Sequence, residues 1–373
     1  MNSPFPYERL PLKEEFFGRT QELEKLSTIV KYSNNMLIHS KRRMGKSSLI
    51  KTFFEQNKDD YLCIYVDIFD ITSKEDFAQL LLKALANAGK FDLKTAIKNL
   101  TSLFKRVRVE PTIDPNSLEY SIKPIVATLS FEEMFEDFFN SLNELSKTNK
   151  IILAIDEFQQ IAEFKDSKMF QKRLRSVWQL QKSVSYCLFG SKMHLMNELF
   201  EKRNLPFYKF GDAVYLPKIS TSDWVEYICG RFEATGKHIS KELAEKICRT
   251  VDNHSSYVQQ LAWLIWIQTK EVATDQNFED AFQDIVDQNT PLFEKQTESL
   301  TTYQMNFLRA IVNGVHKEFT TQEVLQKYQL GSSANVSTVK RALIKKELIE
   351  TEKQQVIIPD PVMRIWLKRE FEQ

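Results

Sequence analysis

The stretch at residues 36–50, MLIHSKRRMGKSSLI, constrains this chain more than any other. It opens with a short apolar run, passes through a cationic polar turn, and continues into a helical pattern headed by Gly45, Lys46 and Ser47. The turn follows the spacing G-x-x-x-x-G-K-[ST], with Ser40 in the place of the first Gly. The chemistry behind this spacing is an anion cradle. Backbone N–H groups of the turn and the positive end of the helix dipole converge on phosphate. Lys46 would then neutralise the β- and γ-phosphates of a nucleotide, and Ser47 would offer its hydroxyl to Mg²⁺. Only nine glycines occur in 373 residues, so a Gly directly before this Lys is hard to ascribe to chance.

A second element completes the expectation. Residues 151–160, IILAIDEFQQ, are an apolar run closed by Asp156 and Glu157, the pattern of a buried strand bearing a Walker B pair. Asp156 would hold Mg²⁺ directly or through water, and Glu157 would polarise the attacking water. A strand ending in two acids is common by itself. In this order and on these elements, the two motifs together predict an ATP–Mg²⁺ site. Residues 183–191, SVSYCLFGS, read as a further buried strand. Ser191 at its tip either senses the γ-phosphate and orients the lytic water or is a plain turn residue. Arg173 and Arg175, on a helix expected over 172–182, are arginine-finger candidates in an oligomer and otherwise ordinary solvated or salt-bridged side chains.

Around these motifs strand and helix alternate. Residues 16–30 read as an apolar lead-in, a Gly-Arg turn at Gly18 and Arg19, and then a helix with Leu23, Leu26 and Val30 on one face. Residues 61–69, YLCIYVDIF, suit a strand buried on both faces. A helix is expected over 70–88, an aromatic-rich amphipathic helix over 131–145, and a weaker strand over 213–216. Between them, residues 104–129 alternate basic and apolar residues on either side of a turn at Pro115, the pattern of an inserted β-hairpin. Its cationic start, Lys105, Arg106 and Arg108, suits either a phosphate backbone or a solvated strand face. The fold class is therefore α/β: a P-loop core with a parallel five-stranded sheet over 1–217.

After Pro217 no strong strand appears, and helical patterns at 222–235, 241–251, 256–270 and 278–288 define a helical lid domain over 218–295. Residues 296–373 read as three helices and a small polar hairpin, a C-terminal winged helix-turn-helix. Its recognition helix would carry Ser333, Asn335, Ser337 and Thr338 toward base edges and Lys340, Arg341 and Lys345 toward phosphates, with no acid between Ser332 and Lys346. Winged helices also dock proteins, so a protein partner is the alternative.

Composition narrows the remaining classes. A net charge of +1 exerts no global pull toward nucleic acid or membrane, so any basic surface is local. No apolar run reaches spanning length, and the N-terminus lacks the basic-then-apolar profile of a secretory leader. The four cysteines are scattered without a C-x-x-C pair, which fits reduced thiols and a cytoplasmic protein better than a disulfide or zinc framework.

Taken together these strings resemble the archaeal-type ATPase family of P-loop proteins, within the STAND and AAA+ relatives. The resemblance spans almost the whole chain. It rests on FFGRTQEL, SKRRMGKSSL, IDEFQ, LRSVWQ followed by FGS, LPFY, NHSSYVQQLA, SANVSTVKRALIKKELI and DPVMRIWL. It implies a five-stranded ATPase core, a helical lid and a winged helix, with Gly18 and Arg19 near the base. It also implies a phosphate loop of Ser40, Lys41, Arg42, Arg43, Met44, Gly45, Lys46, Ser47 and Ser48, with Asp156, Glu157 and Ser191 as metal, water and sensor residues. Two positions depart from the pattern: Ser40 replaces the first Gly, and Ser255 stands where STAND relatives carry a nucleotide-contacting Pro. The function expected is a slow, Mg²⁺-dependent ATPase switch whose nucleotide state governs DNA or partner binding through the winged helix. The alternative is a signalling scaffold whose winged helix docks protein.

Overall fold

The structure, a computed structural model, describes residues 3–7, 9, 15–88, 101–113, 120–126 and 128–372. It divides into two compact units, Arg19–Pro217 and Met1–Gly18 with Lys218–Gln373.

In chain order the strands of the first unit are β1 (Met36–His39), β2 (Tyr61–Asp67), β3 (Arg108–Ile113), β4 (Tyr120–Ile125), β5 (Lys150–Asp156), β6 (Val184–Phe189) and β7 (Asp212–Tyr215). Five of them form one sheet in the order β2-β5-β6-β1-β7, with every pairing parallel. Parallel neighbours need crossovers, and helices Lys46–Asn57, Lys74–Ala86, Phe131–Leu145, Ser167–Trp178 and Met193–Glu201 lie in them. Because all five strands run the same way, their carboxyl ends open on one edge. The residues that follow β1, β5 and β6 meet there. β6 is buried at every position, and in β5 only Lys150 is exposed.

Residues 61–69 depart from the expectation of burial on both faces. β2 is an edge strand, and only Ile64 and Val66 along it are fully buried. An apolar run does not distinguish an edge from a centre. The helix at 131–145 meets its expected bounds, and its start is chemically fixed. Ser130 and Glu133 form a reciprocal capping box, and Phe131, Met134, Phe135, Phe138 and Leu142 repeat at helical spacing on the buried side. Each such phenylalanine contributes about 1.5–3 kcal/mol on burial.

The expected hairpin insertion is present as antiparallel β3 and β4, in a sheet of their own; the turn expected at Pro115 lies outside the described residues. It is tied down on both sides. The Asn87 side chain accepts from Ile122 N (2.9 Å) and donates to Ile122 O (2.9 Å). The buried Asp137 carboxylate accepts from the backbone N–H groups of Arg106 (2.6 Å) and Val107 (3.0 Å). Arg106 also pairs with Glu136 at 3.0 Å, which takes one of the three leading cations into an ion pair.

In the second unit, helices Thr221–Glu233, Lys241–Thr250, Ser255–Gln268, Asp275–Glu298, Thr302–Val312, Gln322–Lys327, Ser333–Lys345 and Pro361–Glu372 share one hydrophobic core running from Ile219 to Leu367. Phe5 belongs to the same core, and Phe17 stacks on Tyr227 with ring centroids 3.8 Å apart. Strands β8 (Glu350–Glu352) and β9 (Gln355–Ile357) form the polar hairpin, closed by Lys353 and Gln354, both at positive φ. That two-residue turn matches the strand twist. The boundary expected at 295–296 falls inside helix Asp275–Glu298, which runs on through Pro291. A proline there forfeits one backbone hydrogen bond. The helix nevertheless continues, with Phe293 buried and packed against Trp366 at 5.7 Å.

Candidate nucleotide site

The loop after β1 is shaped by two backbone positions. Gly45 caps the following helix at φ +87°, and Arg43 sits at φ +58°. Gly45 belongs there because a side chain at that φ is strained, although a Cβ would meet nothing within 4 Å. Ser40 lies outside the positive-φ region, so the loop does not ask of it the turn that a Gly makes more easily. Its carbonyl accepts from Lys46 Nζ at 3.4 Å, and the Lys41 carbonyl accepts from the same ammonium at 3.0 Å. Lys46 is buried, which holds its ammonium below the ordinary 10.5 while Asp156 and Glu157 draw it back up. Met44 is buried, Arg42 and Arg43 are exposed, and Lys41 and Ser48 are half-buried.

The loop meets the strand carboxylates at one atom. Ser47 Oγ donates to Asp156 Oδ2 at 2.8 Å, and Tyr65 of β2 donates its hydroxyl to the same oxygen at 2.7 Å. Asp156 Oδ1 accepts from Glu157 N at 2.9 Å. Burial pushes the Asp156 carboxyl above its ordinary 3.8, and the two hydroxyls draw it down. Glu157 stands at φ +55°, turned away from the strand path. Its carboxylate accepts from Ser191 N (3.2 Å), from Ser191 Oγ (2.9 Å) and from the Gln159 side-chain amide. Ser191 reaches it because β6 pairs directly with β5.

The donor set fits Mg²⁺. It offers hard oxygens, one hydroxyl and one carboxylate. Among the described residues no group of three or more His, Cys, Asp or Glu forms a cage. An ion that prefers a few protein oxygens plus substrate phosphates and water matches that supply.

The other expected residues are placed as follows. Arg19 is buried within the first unit; its guanidinium donates to Pro217 O (2.7 Å) and Met44 O (3.2 Å) and pairs with Glu22 (3.4 Å), bracing the phosphate loop. Gly18 belongs to the second unit, beside Ile219. Arg173 lies over the rings of Phe131 and Phe135 and pairs with Glu132 at 3.4 Å. Arg175 stacks on Phe210. Both arginines are thus engaged within their own chain. Tyr65, Gln159 and Gly190 join the site without having been singled out from the sequence. Gln159 was legible only as part of the DEFQ string. Tyr65 gave no signal, since it is 91 residues from Asp156.

On helix Ser333–Lys345 the buried residues are Val336, Val339 and Leu343. The opposite side exposes Ser333, Ser337, Arg341 and Lys345 at four-residue intervals, with Thr338 beside them. Asn335 is occupied structurally, donating to Leu330 O at 2.7 Å, and Lys340 is half-buried. Among the described residues, Lys340, Arg341 and Lys345 form no ion pair.

A G-K-S loop after the first strand of a parallel sheet, facing an acidic pair at the end of another strand, defines a P-loop ATPase. The chain belongs to the family described as "ATPase domain predominantly from Archaea", whose model matches residues 16–203. A second model, "Probable winged helix domain", matches residues 291–369. Among solved structures, the chain is similar to the Walker-type ATPase PabY2304 of Pyrococcus abyssi at 17% identity and a TM-score of 0.69, over 97% of this chain and 99% of that one. It is also similar to the Aeropyrum pernix ORC2 protein in its ADPNP-ADP complexes, at 11% identity, TM-score 0.59 and 98% coverage of both chains. The Aeropyrum pernix ORC1 protein in complex with DNA matches at 12% identity and TM-score 0.50, over 94% of this chain and 92% of that one. At these identities the likeness establishes the fold. No curated protein matches the chain. Among the described residues no helix is long and apolar enough to cross a membrane.

Proposed function

We propose that the chain is a Mg²⁺-dependent, slow ATP-hydrolysing switch whose nucleotide state governs DNA binding by its winged helix. The observation that carries the ATPase reading is the bond from Ser47 Oγ to Asp156 Oδ2, which brings the phosphate loop and the strand carboxylate to one point. In this reading Lys46 and the loop N–H groups hold the β- and γ-phosphates. Ser47 and Asp156 hold the magnesium ion, which when bound neutralises developing phosphate charge. Glu157, fixed by Ser191 and Gln159, takes the proton of the attacking water. DNA is favoured over a protein partner by the exposed cations Arg341 and Lys345, which form no ion pair among the described residues and are set in line with the Ser333 and Ser337 hydroxyls.

Two measurements test this. Purified protein should hydrolyse ATP; Glu157→Gln should bind ATP without turnover, and Lys46→Ala should do neither. Equal rates for Lys46→Ala and wild type would end the enzymatic reading. Gel shifts across a salt series should show affinity falling steeply with salt, with a shallower slope in Arg341→Ala. Absence of any shift at low salt, with and without ATP, would transfer the reading to a nucleotide-regulated scaffold.

A further inference from the structure

We infer that Tyr65 is a positioning residue of the magnesium site: its hydroxyl fixes the Asp156 carboxylate in the orientation that receives the ion. The inference rests on the ATPase reading above and adds a residue from a strand that neither motif includes.

Asp156 Oδ2 accepts two hydroxyl protons, from Ser47 at 2.8 Å and from Tyr65 at 2.7 Å. Oδ1 accepts the Glu157 backbone N–H at 2.9 Å. With both oxygens held, rotation of the carboxylate about its Cβ–Cγ bond breaks at least one of these bonds. A serine that donates its proton to a carboxylate keeps its lone pairs for a cation. The Ser47–Asp156 bond is therefore compatible with Ser47 on the ion and Asp156 beside it. The Tyr65 hydroxyl reaches the same oxygen from an edge strand that belongs to neither motif.

The Tyr65 ring is itself held by two further elements. Lys51, one helical turn beyond Ser47, sits over the ring at 5.1 Å, and Phe189 of β6 lies 6.3 Å away at 53°. Register explains why the hydroxyl arrives there. Tyr65 pairs with Ala154 and Asp67 with Asp156, so Tyr65 and Asp156 share a face of the sheet two residues apart. Four elements thus converge on one oxygen: the loop helix, β2, β5 and, through the ring, β6. Partners that orient a metal ligand change metal affinity when removed, by about 10–100-fold.

The test uses the full chain and a fluorescent ATP analogue, titrated with nucleotide in EDTA and then with MgCl₂ at fixed nucleotide. Tyr65→Phe keeps the ring and removes the hydroxyl. It should leave magnesium-free nucleotide affinity unchanged and raise the magnesium midpoint about tenfold. ATP turnover should then recover toward wild type at saturating magnesium, giving a raised metal requirement with a nearly unchanged kcat. Lys51→Met, an exposed substitution that loosens the ring and keeps the hydroxyl, should move the midpoint the same way by a smaller factor. An unchanged midpoint in a folded Tyr65→Phe overturns the assignment, and an unchanged midpoint in Lys51→Met removes the ring-locking part of it. Asp156→Asn separates the two levels of the argument. If it too leaves the midpoint unmoved, the magnesium-site reading itself fails. If Asp156→Asn abolishes the magnesium response and Tyr65→Phe does not shift it, only the role of Tyr65 falls.

Discussion

Replacing Gly190 by alanine should uncouple Glu157 from its setting without touching either acidic residue. A Cβ at Gly190 would overlap Gln159 Oε1, lie 2.9 Å from Gln159 Cδ, and lie 3.4 Å from Met196 Sδ. Gln159 is completely buried, so its amide has no route to solvent. Among the described residues its Oε1 has no hydrogen-bond partner, so displacing that oxygen loses no acceptor bond there. What is lost is the donor bond from its amide nitrogen to the Glu157 carboxylate. Overpacking costs about 1–3 kcal/mol; because the intruded group is the end of a flexible side chain, the lower half of that range applies. A bond to a charged acceptor adds about 1.5–3 kcal/mol, partly recovered because Ser191 still serves Glu157. A net loss of about 2 kcal/mol is expected, lowering Tm by about 4–8 °C for a unit of this size. Turnover should fall about tenfold, equivalent to about 1.4 kcal/mol in the barrier, with ATP affinity unchanged. The decisive assay is a double-mutant cycle with Gln159→Ala. Removing the glutamine makes room for the new methyl, so Gly190→Ala should cost little in that background, giving a coupling of about 1–2 kcal/mol. Additive effects in the cycle would refute the wedge and with it the account of how Glu157 is held.

Three further outcomes follow from features elsewhere. Asp137→Ala removes the acceptor of the half-buried Arg106 N–H and the buried Val107 N–H and should destabilise by about 1–3 kcal/mol; hydrogen exchange should quicken at those two amides, and unchanged exchange would count against the tether. The Asp76 carboxyl, held below its ordinary 3.8 by hydrogen bonds from Ser73 and Thr72, stabilises its helix above pH 3.8 and loses that effect as pH falls through its lowered value. The Tm gap between wild type and Asp76→Asn should accordingly be full at pH 6 and close in acid; a gap that widens on acidification would reverse the sign. Pro291→Ala restores an N–H inside helix Asp275–Glu298 at an exposed position and should stabilise by about 1–3 kcal/mol, so a lower Tm would show that the ring is needed where it stands.

The parts of the molecule that were legible in the sequence are those written in consecutive residues. The phosphate loop lies within one strand–turn–helix, the Asp156–Glu157 pair ends one apolar run, and helix 131–145 announces its start with Ser130 and Glu133. What escaped depends on register between distant strands. Tyr65 reaches Asp156 only because β2 pairs with β5 in one alignment, and the wedge of Gln159 exists only because β6 brings Gly190 against it. β2 reads like a central strand because apolar content reports burial against helices as well as burial between strands. Ser40 is an instructive case: the motif marks it as the weak position, whereas the backbone places its left-handed residues at Arg43 and Gly45. Pro291 is the converse, a stop signal overridden by the packing of Phe293 on Trp366.

Helix Asp275–Glu298 joins the segment packed on Ser255–Gln268 to the segment packed on Pro361–Glu372, with no loop between them. At a rise of 1.5 Å per residue, its 24 residues make a strut about 36 Å long. Such a strut converts angle into distance: a tilt of about 5° at one end carries the other end about 3 Å, close to the length of one hydrogen bond. Helices Ser255–Gln268 and Pro361–Glu372 therefore pack on one continuous element. A small rotation at the first end would reach the second as a translation whose size is set by helix length.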